Sequence, residues 1–178
     1  MTSFADIWGS LQQAGKPTPY VLIDCAGIDG GEPRIPHDAF SELECLFTGD
    51  LAIELANVGP YLGRLKSYEP EVKAVVEDML NGQVALLVML QEVTDEQAEI
   101  TFSQLHRHFR KFNVVYDPSG KPLFFRYYDS RLMVDVLNML EPDQRNAFFG
   151  PIASFVLARE PAKLVRCFRR GGEVAVAD

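Results

Sequence analysis

The chain contains little cysteine. Its three cysteines are odd in number and far apart, at Cys25, Cys45 and Cys167. Without a C-x-x-C pair they exclude a disulfide framework and give no zinc or thiol-redox motif. We therefore predict free, buried thiols in a protein of a reducing compartment.

Long apolar runs are also absent. The longest strongly apolar run, Val84–Leu90, is far too short to span a bilayer. Residues 1–6 have neither the basic nor the apolar stretch of a secretion signal. Together these absences predict a cytoplasmic protein that does not insert into a membrane.

Positive charge is scarce but unevenly distributed. The 178 residues include 17 Lys and Arg against 25 Asp and Glu, for a net charge of −8, which argues against general nucleic-acid binding. Residues 1–104 carry −12, whereas residues 105–178 carry +4. The basic part could face an acidic protein partner, although two solvated faces would give the same numbers. The candidate partner-facing residues are Arg107, Arg110, Arg166 and Arg169.

Hydrophobic periodicity predicts alternating helices and strands. Helices are expected at residues 3–14, 37–47, 70–81, 95–110, 131–140 and 142–148. Strands are expected at residues 20–25, 58–65, 84–90, 112–116, 122–127, 152–157 and 164–168. Thr94 and Gln97 have the spacing of a capping box at a helix start. This pattern predicts a single compact α/β domain over residues 1–170, with helices flanking a mixed β-sheet, and a frayed tail over residues 171–178.

The most informative segment is residues 126–131, Arg-Tyr-Tyr-Asp-Ser-Arg, between a strand-like run and a helical pattern. Charges in such apolar surroundings usually brace a junction or contact a partner. Asp129 has the position of a helix N-cap, and Arg126 could pair with it or stack on Tyr127. Arg126, Tyr127, Asp129 and Arg131 are therefore candidates for a structural junction, for partner binding, or for both.

No catalytic motif stands out. His106 and His108 are two positions apart on a predicted helix, so they point in different directions and cannot share a metal ion. A site formed by Cys25, His106 and Asp24 is conceivable, but no nucleophile elbow supports it. The glycines that follow the first predicted strand lack the spacing of a nucleotide-binding loop. We predict a protein without enzymatic activity, metal or cofactor, and a small hydrolase using Cys25 is the alternative.

Six short motifs occur in one order along the chain. They are Tyr20–Asp24, Gly59–Leu62, Leu105–Arg110, Asp117–Gly120, Phe124–Arg131 and Phe148–Pro151. Over about residues 18–168 this order resembles the type VI secretion effector adaptor/chaperone family, also called domain-of-unknown-function family 4123. Three residues depart from the family pattern: Phe109 replaces leucine, Tyr127 replaces phenylalanine, and Ser130 replaces proline.

The resemblance implies a role that the residues alone do not give. Proteins of this kind are non-catalytic and cytoplasmic in Gram-negative bacteria. They bind one cognate toxin effector and help to load it onto the secretion spike, the valine-glycine repeat protein. Longer relatives have an extra C-terminal lobe, so a binding surface on that lobe is not expected here. An immunity-type protein that binds and neutralises a toxin is a further alternative.

Overall fold

In the computed structural model of the chain, the described residues are 3–13, 18–92, 99–170 and 173–177. Within them the α-helices are α1 (Phe4–Leu11), α2 (Asp50–Leu55), α3 (Pro70–Asn81), α4 (Phe102–Arg110), α5 (Met133–Met139) and α6 (Pro142–Phe149). The strands are β1 (Tyr20–Asp24), β2 (Phe40–Cys45), β3 (Pro60–Leu65), β4 (Ala85–Leu90), β5 (Val114–Tyr116), β6 (Pro122–Phe124), β7 (Ile152–Glu160), β8 (Lys163–Arg170) and β9 (Glu173–Ala177).

Seven strands form one sheet in the order β2-β3-β1-β4-β7-β8-β9, and β5 and β6 form a separate hairpin. This arrangement confirms the predicted α/β class and the single compact domain. Neighbouring strands of the large sheet all pair antiparallel, whereas we expected a mixed sheet. The sequence shows where helices separate strands, but it does not show in which direction the next strand enters the sheet.

Helices cover both faces of the sheet. Because successive residues of a strand point to opposite sides, one strand contributes side chains to both cores. Val21 and Ile23 of β1 pack in one core with residues of α1 and α3. Tyr20 and Leu22 pack in the other core with residues of α4, α5 and α6. Strand β1 is therefore buried along its whole length.

The predicted helix over residues 37–47 is wrong. A short 3-10 turn, His37–Ala39, leads instead into β2, which pairs with β3. A Cβ atom added at Gly63 of β3 would lie 2.5 Å from the Phe40 ring, so that ring packs directly over the Gly63 backbone. This contact and the ladder with β3 outweigh a helix-like spacing of apolar residues.

Two chain segments differ from expectation at their ends. Helix α4 begins at Phe102 with a capping box formed by Thr101 and Gln104, whereas the predicted box at Thr94 and Gln97 lies outside the described residues.

We predicted a frayed tail from Gly171, but the structure places Glu173–Ala177 in β9, paired with β8. Alternating valines suit this sheet edge, and pairing with β8 supplies backbone hydrogen bonds.

None of the helices in the described ranges combines the length and the apolar character needed to cross a membrane.

Candidate partner-binding site

The charged residues of segment 126–131 form an ion network with Asp24, the last residue of β1. Arg126 Nη2 lies 2.8 Å from Asp24 Oδ2 and 3.3 Å from Asp129 Oδ2. Arg131 donates from Nε to Asp129 Oδ1 and from Nη2 to Asp129 Oδ2, each at 2.8 Å. Such a bidentate contact fixes both the distance and the relative orientation of the guanidinium and the carboxylate. The network therefore ties the strand-to-helix junction to the end of a central strand.

Burial is unequal within this network. The side chains of Asp24 and Asp129 are 2% and 3% exposed, whereas those of Arg126 and Arg131 are 42% and 54% exposed. Buried carboxylates need charged partners, while a half-exposed guanidinium leaves some of its N–H donors in solvent. The network can thus stabilise the junction and present positive charge on the surface.

The pKa of Asp129 reflects two opposing effects. Burial raises it, but the side-chain and backbone hydrogen bonds from Arg131 and the charges of Arg131 and Arg126 together hold it below its ordinary value. Asp129 in turn raises the pKa of Arg131. The stabilisation from this pair is complete above the unfolded-state pKa of about 3.9 and is lost as the pH falls through the folded-state pKa.

Asp129 caps the turn before α5 rather than the helix itself. Its Oδ1 accepts the Arg131 N–H at 3.1 Å, and its carbonyl oxygen accepts the N–H groups of Leu132 and Met133, each at 3.0 Å. Ser130 donates its hydroxyl to the carbonyl oxygen of Gln83 at 2.8 Å. These bonds fix the turn from both sides.

We expect Asp129→Ala to lower the free energy of unfolding by about 0.5–2 kcal/mol, because the turn loses its cap and Arg131 loses its partner. Chemical denaturation measures the change. Asp135→Ala, an exposed aspartate of α5 with no ion pair to the described residues, is the matched control and should stay within about 0.5 kcal/mol of wild type. Equal losses in both variants would show that the network does not stabilise the junction.

Tyr127 extends the junction toward α4. Its buried hydroxyl lies 2.8 Å from Asn113 Oδ1 and 3.1 Å from the Phe109 carbonyl oxygen. Burial raises its pKa well above the ordinary value, so the hydroxyl remains a donor. Asn113 in turn donates from Nδ2 to the Leu46 carbonyl oxygen at 2.7 Å. A chain of hydrogen bonds thus connects the junction to the residues that follow β2.

Helix α4 and Asn113, which follows it, hold residues 45–48 in place. Besides the Asn113 bond, His106 Nε2 lies 2.9 Å from the Cys45 carbonyl oxygen, to which it donates. Arg110 Nη2 donates to Thr48 Oγ1 at 3.2 Å. Hydrogen bonds to three of these four residues position the segment beside the C-terminal end of α4.

A groove of about 460 Å³ lies between residues 46–51 and the end of α4, and we call it the basic groove. Its apolar lining residues, buried or half-buried, are Leu46, Phe47, Leu51 and Val114. Its basic lining residues, all exposed, are Arg107, Arg110 and Lys111. Thr48 and Asn113 are the other lining residues among those that the structure describes, and none of these described residues is a carboxylate.

The structure separates the predicted partner-facing arginines. Arg107 and Arg110 share the basic groove, whereas Arg166 is exposed on β8 beside Ala153 and Ser154. Arg169 belongs to β8, where it pairs with Val174, and its side chain lies outside the described residues. Sequence reasoning missed Asn113 and the apolar half of the groove, because neither carries a local motif.

Cys25 lacks the features of a catalytic nucleophile. Its side chain is buried, and burial, followed by the nearby Cys45, raises its pKa to about 12. A thiol in this state is protonated at neutral pH and reacts poorly. His106 Nε2 donates instead to the Cys45 carbonyl oxygen. Across the described ranges, no group of three His, Cys, Asp or Glu side chains could hold a metal ion.

Comparison with protein-family models assigns the chain to a family. Residues 19–147 match the family described as "Domain of unknown function (DUF4123)". The match covers more than half of the chain, so the protein belongs to this family, as the ordered motifs predicted. Both the ion network and the basic groove lie within the matched residues. Comparisons with curated proteins and with solved structures give no match.

Proposed function

We propose that this protein is a non-catalytic cytoplasmic adaptor/chaperone of the type VI secretion system. In this role it binds a cognate toxin effector and helps to load it onto the spike, the valine-glycine repeat protein. The observation that carries the proposal is the ordered set of six motifs in a chain that belongs to the DUF4123 family. The description of the family itself names no function.

Two features of the molecule support a binding role over the hydrolase alternative. Cys25, the residue on which that alternative depends, is a buried thiol whose pKa is raised to about 12. The basic groove combines exposed cations with an apolar lining, a combination suited to recognising a protein. These features fit an immunity-type protein equally well, so the experiment must separate delivery from protection.

The test is deletion of this protein in its native cell. We expect delivery of one effector to be lost, while delivery of the others shows that the secretion machine still fires. Re-expression of the wild-type chain is the control and should restore delivery. Unchanged delivery of every effector would refute the proposal. Self-intoxication of the deletion strain, with delivery intact, would instead favour the immunity-type function.

A further inference from the structure

We propose that the basic groove is a docking site for an acidic segment of a protein partner, in which carboxylates alternate with large apolar side chains. The inference depends on the proposed function only for the identity of the protein that carries this segment. Its location and chemistry rest on the groove itself.

Charge complementarity selects an acidic occupant. Arg107, Arg110 and Lys111 line one groove and form no ion pair with any residue in the described ranges. None of the described residues that line the groove is a carboxylate, although the net charge of the chain is −8. Arg110 donates to the uncharged hydroxyl of Thr48. Carboxylates from a partner would supply counter-charges that the described residues of the chain do not place there.

The apolar part of the surface requires more than charge from the occupant. Phe124 of the β5–β6 hairpin lies beside Phe47 of the groove, with ring centroids 5.6 Å apart. Tyr116 and Phe124, which lie on the same face of this hairpin as the groove residue Val114, are 71% and 50% exposed. Clustered exposed apolar residues next to a polar rim typically mark protein-binding sites. A partner segment with leucine or aromatic side chains would cover this surface, whereas a nucleic-acid backbone would leave it in water.

The groove is formed before a partner arrives. Hydrogen bonds from His106, Arg110 and Asn113 hold residues 45–48 against α4. The Tyr127 hydroxyl contacts Asn113, so the family's junction motif supports one wall of the groove. Preorganisation of this kind reduces the entropy lost on binding.

The test measures binding of a short fluorescein-labelled peptide, with glutamate alternating with leucine and phenylalanine, to the full chain by fluorescence anisotropy. We expect Arg107→Glu with Lys111→Glu to weaken binding about tenfold. The matched control is Arg159→Glu with Arg166→Glu, the same charge change at exposed positions outside the groove, which should alter binding less than about twofold. Thermal melts of each variant verify folding.

Two further binding measurements test the charged and the apolar contributions separately. A peptide with glutamine in place of glutamate should bind more weakly, and its binding should respond little to salt. Leu51→Gln should weaken binding of the acidic peptide at low and high salt alike. Absence of binding to the wild-type chain, or equal binding to groove and control variants, would overturn the proposal. Tighter binding of a single-stranded oligonucleotide at the same salt concentration would also overturn it.

These outcomes are separable from those of the deletion experiment. If deletion abolishes delivery but groove variants bind the peptide normally, the adaptor function stands and this docking site is wrong. If deletion leaves delivery intact but groove variants lose the peptide, the docking site stands without the secretion role.

Discussion

Replacing Phe148 by alanine is expected to lower the free energy of unfolding by about 3–5 kcal/mol, because it would leave a cavity at the centre of an aromatic cluster. Phe148 is fully buried. Its ring centroid lies between 5.1 and 6.5 Å from six other rings. These belong to Phe109, Phe112, Phe125, Tyr127, Phe149 and Phe155. Denaturant unfolding of the purified variant measures the loss.

The matched control deletes the same atoms at the surface. Phe124 is 50% exposed, and its ring packs against that of Phe47. Phe124→Ala should therefore cost less than about 1 kcal/mol, since little apolar area leaves the interior. Similar losses in the two variants would mean that the aromatic cluster does not organise this core.

Residues of the six ordered motifs contact one another in the folded chain. Asp24 of the first motif pairs with Arg126 of the fifth at 2.8 Å. Tyr127 reaches the carbonyl oxygen of Phe109, and His108 reaches that of Phe148 at 2.7 Å. These contacts mostly connect helices, strands and turns, so the family pattern describes a scaffold.

Elements with strong local signals were predictable. The apolar stripe on α3 follows Pro70 at the first helical position, and Asn81 with Gly82 ends the helix as expected. Strand β4 is apolar on both faces because helices cover both sides of the sheet. In both cases neighbouring residues contain the whole signal.

Elements that depend on distant partners were not predictable. In β2, Phe40 and Leu43 have a spacing that suits a helix, and pairing with β3 decided the outcome. Close before Phe102 the capping-box spacing occurs twice, at Thr94 and at Thr101, so this spacing alone does not give the start of α4. Here the sequence fits more than one structure, and tertiary contacts select one.

In the candidate site, too, neighbours on one helix were predictable from the sequence, whereas contacts between distant residues were not. Arg107 and Arg110 are three positions apart on a helix, so a shared face was foreseeable. The Asp24 partner of Arg126 lies 102 positions away in the chain, and no local pattern connects the two. Arg166 belongs to another element, and its separation from the groove required the sheet order.

Gly150→Ala is expected to lower the free energy of unfolding by about 2–5 kcal/mol, because it combines backbone strain with a clash. Gly150 follows α6 with φ of 46° and ψ of −113°. A Cβ atom there would lie 2.6 Å from His108 Cε1. The His108 ring cannot easily withdraw, because it donates to the Phe148 carbonyl oxygen at 2.7 Å and packs against Phe109 and Phe112.

Gly120 provides the control that separates strain from clash. It also has a positive φ, of 81°, but no atom lies within 4 Å of an added Cβ. Gly120→Ala should therefore cost only about 1 kcal/mol, the backbone contribution alone. Denaturant unfolding of both variants gives the difference, and His108→Ala should recover part of the Gly150→Ala loss in a double-mutant cycle. Equal losses at the two glycines, with no coupling to His108, would contradict a close contact between the helix α4 motif and the Phe-Gly-Pro motif.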